Sequence, residues 1–182
     1  MKLINTDIKD LFIIEPTVFE DERGYFYESY NLQVFNKHNL NFNFVQDNQS
    51  RSSFGVVRGL HFQLAPYAQT KLIRVLEGKI FDVAVDIRKN SPTFGKWAGV
   101  ELSSENKKQL LVPKGFAHGF SVLSPSAVVF YKCDEFYNKE SEGGIIYNDK
   151  SINVDWKLDP EKMILSAKDK ILPGLDKAEI NF

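Results

Sequence analysis

The chain of 182 residues has a single cysteine, three histidines, two methionines and two tryptophans, and its 23 Lys and Arg against 24 Asp and Glu leave almost no net charge. One thiol, Cys133, cannot build an intramolecular disulfide framework and suits a reducing compartment, most simply a cytoplasm. Three histidines leave little material for a multi-histidine metal centre. A formal charge of −1 removes the electrostatic case for nucleic acid, which takes a basic face to neutralise phosphates. Long apolar runs are missing as well. Ala127-Val128-Val129-Phe130-Tyr131 ends after five residues, far below the ~18 needed for a membrane span. Between Met1 and Asp10 every apolar pair is interrupted by a charge or an amide, so the continuous core of a signal peptide is absent. Repeats, low-complexity tracts and Pro/Gly/Ser-rich linkers are absent too. The expectation is one soluble domain over 1–182 with no nucleic-acid or membrane partner. A chain of this length buries roughly 70% of its unfolded surface and needs neither disulfide nor structural metal.

What is present is the short strand. Phe81, Val83, Val85 and Ile87 alternate with Asp82, Ala84 and Asp86, which is period two with one apolar and one partly polar face. Just before it, Lys71 to Leu76 meets Glu77-Gly78-Lys79, which reads as a hairpin turn. Further runs cover Gly99 to Leu102, Gln109 to Val112, Phe116 to Val122 and Ala127 to Lys132, with turn clusters between them. Helix is confined to Leu32–Lys37 behind Asn31 as a cap, and to a piece near Asp159–Met163 where Pro160 fits the first turn. The pattern, with 15 Phe and seven Tyr, predicts an all-β jelly-roll sandwich or barrel with a few short helices. Ala127 to Tyr131 is apolar on both faces, which predicts a cover over its outer face: another sheet or a second subunit. A homodimer is expected.

Candidate chemistry begins at Arg58-Gly59-Leu60-His61-Phe62-Gln63. In a regular strand His61 and Gln63 share a face and Arg58 takes the other, so all three reach one pocket only through a bulge at Gly59. On these residues alone, a hydrogen-bonded rim histidine and a surface arginine are equally good readings. His118 follows in Pro113-Lys114-Gly115-Phe116-Ala117-His118, a P-x-G-x-x-H spacing found in cupin barrels, and should face inward. Metal-binding cupins use an H-x-H pair with a downstream Glu. Here the pair is His61-x-Gln63, and His38 lies in a polar stretch that suits a solvated role, so the pocket is expected to hold no metal.

The chain resembles the dTDP-4-dehydrorhamnose 3,5-epimerase family over nearly its whole length. The resemblance is carried by Asp21 to Ser29 (DERGYFYES), Gln46-Asp47-Asn48, Arg58-Gly59-Leu60-His61, Phe81 to Trp97 (FDVAVDIRKNSPTFGKW), Gly115 to Phe120 (GFAHGF), Tyr131-Lys132-Cys133 and Ser166-Ala167-Lys168-Asp169. It implies a cupin-type jelly roll working without metal or cofactor, usually as a dimer, on a nucleotide-sugar substrate. The implied reaction is inversion of a dTDP-4-keto-6-deoxyhexose at C3 and C5. Such chemistry calls for a base near neutral pKa, a donor to hold the enolate oxygen and an acid on the opposite face.

By resemblance His61 is the base, Asp169 its orienting carboxylate, Lys71 the cation beside the C4 carbonyl and Tyr131 the general acid. The residues alone also allow Asp169 as an exposed turn charge, Lys71 as a strand-end lysine reaching solvent and Tyr131 as a packing tyrosine. Tyr137 competes for the acid role. The resemblance further implies substrate contacts from Arg23, Glu28, Gln46, Asn48, Arg58, His118, Glu142 and Lys168. The chain departs from the family pattern at Tyr147-Asn148-Asp149-Lys150, at Leu111-Val112-Pro113 and at Asp134 and Phe136. These departures bear on the nucleotide, the sugar and the number of carbons inverted. A single-centre epimerase and a ketoisomerase on the same barrel are the enzymatic alternatives, and a sugar-nucleotide-binding jelly roll the non-enzymatic one.

Overall fold

A computed structural model describes residues 1–182. In chain order the elements are β1 (Lys2–Asn5), β2 (Phe12–Glu15), β3 (Phe19–Asp21), β4 (Gly24–Phe26), α1 (Leu32–Lys37), β5 (Gln46–Ser53), β6 (Val57–Gln63) and β7 (Lys71–Glu77). There follow β8 (Lys79–Asp86), β9 (Trp97–Ser103), β10 (Gln109–Val112), β11 (Phe116–Val122), β12 (Ser126–Cys133) and β13 (Glu142–Gly144). Three single turns of 3₁₀ helix lie at Lys139–Ser141, Pro160–Lys162 and Asp169–Ile171.

The strands form two antiparallel sheets that face each other as a jelly roll. One has the order β1-β2-β10-β7-β12-β5, the other β13-β6-β11-β8-β9, and β3-β4 stands apart as a separate hairpin. α1 begins where Asn31 accepts from the backbone N–H groups of Gln33 and Val34, the cap expected of an Asx residue ahead of a helix. The expected piece at Asp159–Met163 is the 3₁₀ turn Pro160–Lys162, capped by Asp159.

The Gly78 turn is not a hairpin. β7 pairs with β10 and β12, whereas β8 pairs with β11 and β9, so Gly78 carries the chain from one sheet to the other. Its φ is +78°, and a Cβ there would sit 2.1 Å from the carbonyl oxygen of Ser126, so only glycine fits this corner. Two glycine-linked β runs look alike in sequence whether they pair or cross the sandwich.

Three apolar clusters hold the layers. Between the sheets, Ile73, Val75, Leu110 and Val129 meet Ile80, Leu102, Phe120 and Val122. Outside the five-stranded sheet, Leu60, Phe62, Phe81, Val83 and Val85 are covered by the C-terminal segment through Ile152, Trp156 and Ile180. Outside the six-stranded sheet, Ile14, Leu72 and Leu111 are covered by Phe35 of α1 and Leu40. This cover lies over β2, β7 and β10, and Val128 and Phe130 on the outer face of β12 take no part in it. At roughly 25 cal/mol per Å² of apolar area, these layers supply the main drive to fold.

The alternation in β8 has both faces buried. The apolar residues Phe81, Val83 and Val85 point to the C-terminal cover, and the face carrying Asp82, Ala84 and Asp86 points between the sheets. Asp86 closes the far end of this face. Burial raises its carboxyl, but bonds from Arg88, Ser91 and Thr93 outweigh that and hold it down at about 2.

Candidate active site

The pocket walls come from a break in strand register. Between β6 and β11, His61 pairs with His118 but Arg58 pairs with Phe120, so three steps on β6 match two on β11. One residue is extra at Gly59–Leu60, a β-bulge, and Gly59 has φ +126°. A Cβ on Gly59 would lie 2.6 Å from Gly119 Cα, which reserves the position for glycine. The bulge turns Arg58 to the inner face that His61 and Gln63 share, as the sequence required for a common pocket.

His61 Nε2 lies 2.7 Å from Asp169 Oδ1. Asp169 opens a 3₁₀ turn, is 4% exposed, and its backbone N–H is held by Ser166 Oγ. Burial raises its carboxyl, and the bond and charge of His61 outweigh that, leaving it below the usual value. An ionised carboxylate only accepts, so Nε2 carries the imidazole proton and Nδ1 is the nitrogen left basic. The exposed-turn reading of Asp169 is thereby overturned.

The facing sheet supplies Lys71 and Tyr131, both on inner positions: Lys71 aligns with Ile73 and Val75 of the core, and Tyr131 packs against the same cluster. Lys71 Nζ lies 5.9 Å from the Tyr131 ring centroid. Lys71 is half-buried and does not reach solvent as a strand-end lysine would. Enclosure of its ammonium lowers its pKa, against charges that raise it. Burial raises the Tyr131 phenol, and Arg58 partly opposes this, so the phenol stays protonated at neutral pH. Tyr137 is 56% exposed with its hydroxyl donating to Glu142 at 3.2 Å, so it stands at the rim.

Arg58 Nε donates to Ser52 Oγ at 3.1 Å, leaving the fork of its guanidinium unbound. Gln46 Nε2 donates to Asn48 Oδ1 at 3.1 Å, and Asn48 Nδ2 to Cys133 Sγ at 3.6 Å, which lines β5 with amides. Glu142 and Lys168 form a 2.6 Å ion pair beside a cavity of about 250 Å³. His118 faces inward as expected. Arg23 and Glu28 lie elsewhere in the chain: Arg23 pairs with Asp21 on the exposed β3-β4 hairpin. Glu28 lines a groove of about 210 Å³ with Met1, Tyr30 and Gln109.

Two features escaped the sequence reading. His118 Nε2 is 2.8 Å from Asp82 Oδ1, a second histidine–carboxylate pair, deeper than the first. The alternation placed Asp82 on the partly polar face, and only the inward direction of that face was missing. Gln63 is the other. It donates to the carbonyls of Tyr67 at 2.6 Å and Phe136 at 3.2 Å and accepts from Asn138 N–H at 2.8 Å, tying two rim loops together. Asp134, a departure from the family pattern, accepts from Thr70 N–H and braces the same rim. No group of three or more His, Cys, Asp and Glu side chains is arranged to hold a metal ion.

A family profile described as dTDP-4-dehydrorhamnose 3,5-epimerase matches residues 5–177. The chain belongs to this family. It is 57% identical over 170 residues to dTDP-4-dehydrorhamnose 3,5-epimerase of Shigella flexneri, covering 93% of each chain. A crystal structure of the epimerase from Elizabethkingia anophelis superposes with TM-score 0.94 at 60% identity, over 98% of this chain and 99% of that one. The Legionella pneumophila dTDP-6-deoxy-D-glucose-3,5-epimerase, solved with dTDP-4-keto-L-rhamnose, gives TM-score 0.93 at 51% identity, over 97% and 93%. The epimerase-family jelly roll expected from the sequence is thus the fold observed. No helix is long and apolar enough to cross a membrane.

Proposed function

We propose that the protein inverts C3 and C5 of dTDP-4-dehydro-6-deoxy-D-glucose, giving dTDP-4-dehydro-L-rhamnose for dTDP-L-rhamnose synthesis. The observation that carries the chemistry is the His61–Asp169 pair on one wall with Tyr131 and Lys71 on the facing one. Inversion beside a ketone needs a proton removed from one side of a carbon and another delivered to the opposite side. His61 Nδ1 takes the C–H proton, and Asp169 holds the ring and stabilises the imidazolium. The electron pair moves onto the C4 oxygen, where the Lys71 ammonium stabilises the enolate. Tyr131 then protonates the carbon from the other wall, and once His61 has passed its proton to water and Tyr131 has regained one, the same steps serve the second centre. Arg58 receives the diphosphate, with Gln46, Asn48, His118, Glu142 and Lys168 completing the substrate's surroundings.

The whole chain acts as one domain in the cytoplasm, and it acts as a homodimer. The β3-β4 hairpin supports the dimer: Phe19, Tyr25 and Phe26 are 63%, 58% and 66% exposed, and a two-stranded ribbon with open aromatics gains stability by docking. Seated on a second copy, it brings Arg23 to that copy's substrate.

Incubation with dTDP-4-keto-6-deoxyglucose in heavy water, read by NMR, tests the reading. Deuterium at C3 and C5 with inversion is expected. Label at C3 alone makes the protein a single-centre epimerase, a keto group at a new carbon makes it an isomerase, and binding without exchange makes it a binding module. Each of these sinks the 3,5 reading. Mixing inactive Arg23→Ala and His61→Ala chains should restore activity in hybrids if the dimer shares its sites.

A further inference from the structure

Asp82 is fully buried in β8 and faces the space between the sheets. Its Oδ1 takes the bond from His118, but its Oδ2 is enclosed and has no hydrogen-bond partner in the chain. A buried carboxylate oxygen left alone is expensive, and structures retain one where it faces a cation or a bound group. Lys71 and His118 line the same small enclosed space together with Gln63 and Gln69.

The groups facing Lys71 come from three elements besides β11: Cys133 and Tyr131 from β12, Glu142 from β13 and Asp82 from β8. Among them only one is a dedicated counter-charge. The Cys133 thiol is pushed up to about 11, chiefly by burial, and carries no charge at neutral pH. The Tyr131 phenol is likewise neutral there. Glu142 is a carboxylate already engaged by Lys168 at 2.6 Å and by the Tyr137 hydroxyl. Asp82 has an uncommitted oxygen.

We propose that Asp82 is the positioning residue of the enolate-holding wall: it keeps Lys71 as an ammonium inside the barrel and holds His118 by Nε2–H. It rests on the reading of Lys71 as the cation at the enolate oxygen, and it acts through Lys71 and His118 without touching the substrate. With Nε2 held by Asp82, His118 keeps its Nδ1 edge free to meet a sugar hydroxyl. One carboxylate thus fixes both the charge on one side of the C4 oxygen and the orientation of its neighbour.

The test reads Lys71 directly, so it stands even if the protein turns over a different sugar. The rate of Lys71 amine labelling, followed residue by residue by mass spectrometry against pH, gives its ionisation midpoint. In Asp82→Asn this midpoint should fall by at least one pH unit, a tenfold loss of ammonium at a given alkaline pH. The alkaline limb of kcat/KM should move the same way, because activity needs the ammonium and is lost as pH rises through its pKa. An unchanged midpoint in a folded variant overturns the proposal. Should Asp82→Asn not fold, Asp82→Asn combined with Lys71→Met removes both charges, and this double variant should regain a cooperative unfolding transition. If it is no more stable than the single variant, the two side chains are not compensating and the proposal fails.

Discussion

His61 meets its carboxylate across 108 residues of chain and keeps 31% of its side chain open, whereas His118 meets Asp82 across 36 residues within one sheet with 10% open. The bond lengths, 2.7 and 2.8 Å, are nearly the same. What separates the pairs is their setting. A proton acceptor must be reached by substrate and must pass its proton on, so its ring stands at an opening with the carboxylate behind it. A ring that only holds a ligand is served by deeper burial in a rigid ladder. In the proposed mechanism the same two residue types take different tasks, and what differs in the structure is the element that carries the carboxylate: a 3₁₀ turn or the middle of a strand.

The sharpest way to break this comparison is to remove each ring in turn. His61→Ala should lower kcat for epimerisation by about 10²–10⁴, the range of a positioned base, with deuterium exchange falling in step. His118→Ala should act mainly on KM, by roughly tenfold, as loss of a substrate hydrogen bond does. Equal losses of kcat in both would erase the distinction. Tyr131→Phe should cost on the order of 10²-fold in inversion while leaving thermal unfolding near wild type, since only a hydroxyl is lost from the pocket wall.

Stability effects come next. Gly59→Ala places a Cβ 2.6 Å from Gly119 Cα at a φ of +126°, so about 2–3 kcal/mol of unfolding free energy should be lost in denaturant titrations. Smallest is a pH effect on the first pair. Because the Asp169 carboxyl is held below its ordinary value, its stabilisation is complete above the unfolded value near 3.9 and fades as pH falls towards the native one. Wild type and Asp169→Asn should therefore converge in stability below about pH 4. A gap that stays constant with pH would mean the pair does not depend on the ionised carboxylate.

Much of this architecture was legible in residue order because strand periodicity and turn chemistry are local. Asn31 announced α1, and the β8 alternation announced its strand. Gly59 announced the bulge, since Arg58 and His61 could share a wall no other way. Pairing across the sandwich was not legible, because Gly78 has the same turn chemistry in a hairpin and in a corner between sheets. Distance along the chain hid Asp169, which only the family resemblance joined to His61. Asp82 was hidden differently: period two gives two faces without saying which is inside, and here the polar face is the interior. Arg23 and Glu28 are motif residues that the fold places away from the cavity.

The position of Asp169 sets an order of events during synthesis. A ribosome that has released residues up to Ser166 has already delivered every strand of both sheets, His61, Lys71 and Tyr131 included. Such a chain has all the strands and a His61 imidazole with no carboxylate behind it. The carboxylate comes from the stretch after Ser166, which also brings Ile180 to the outer face of the five-stranded sheet. The segment that covers the outer face of the five-stranded sheet is therefore the same one that completes the His61 pair.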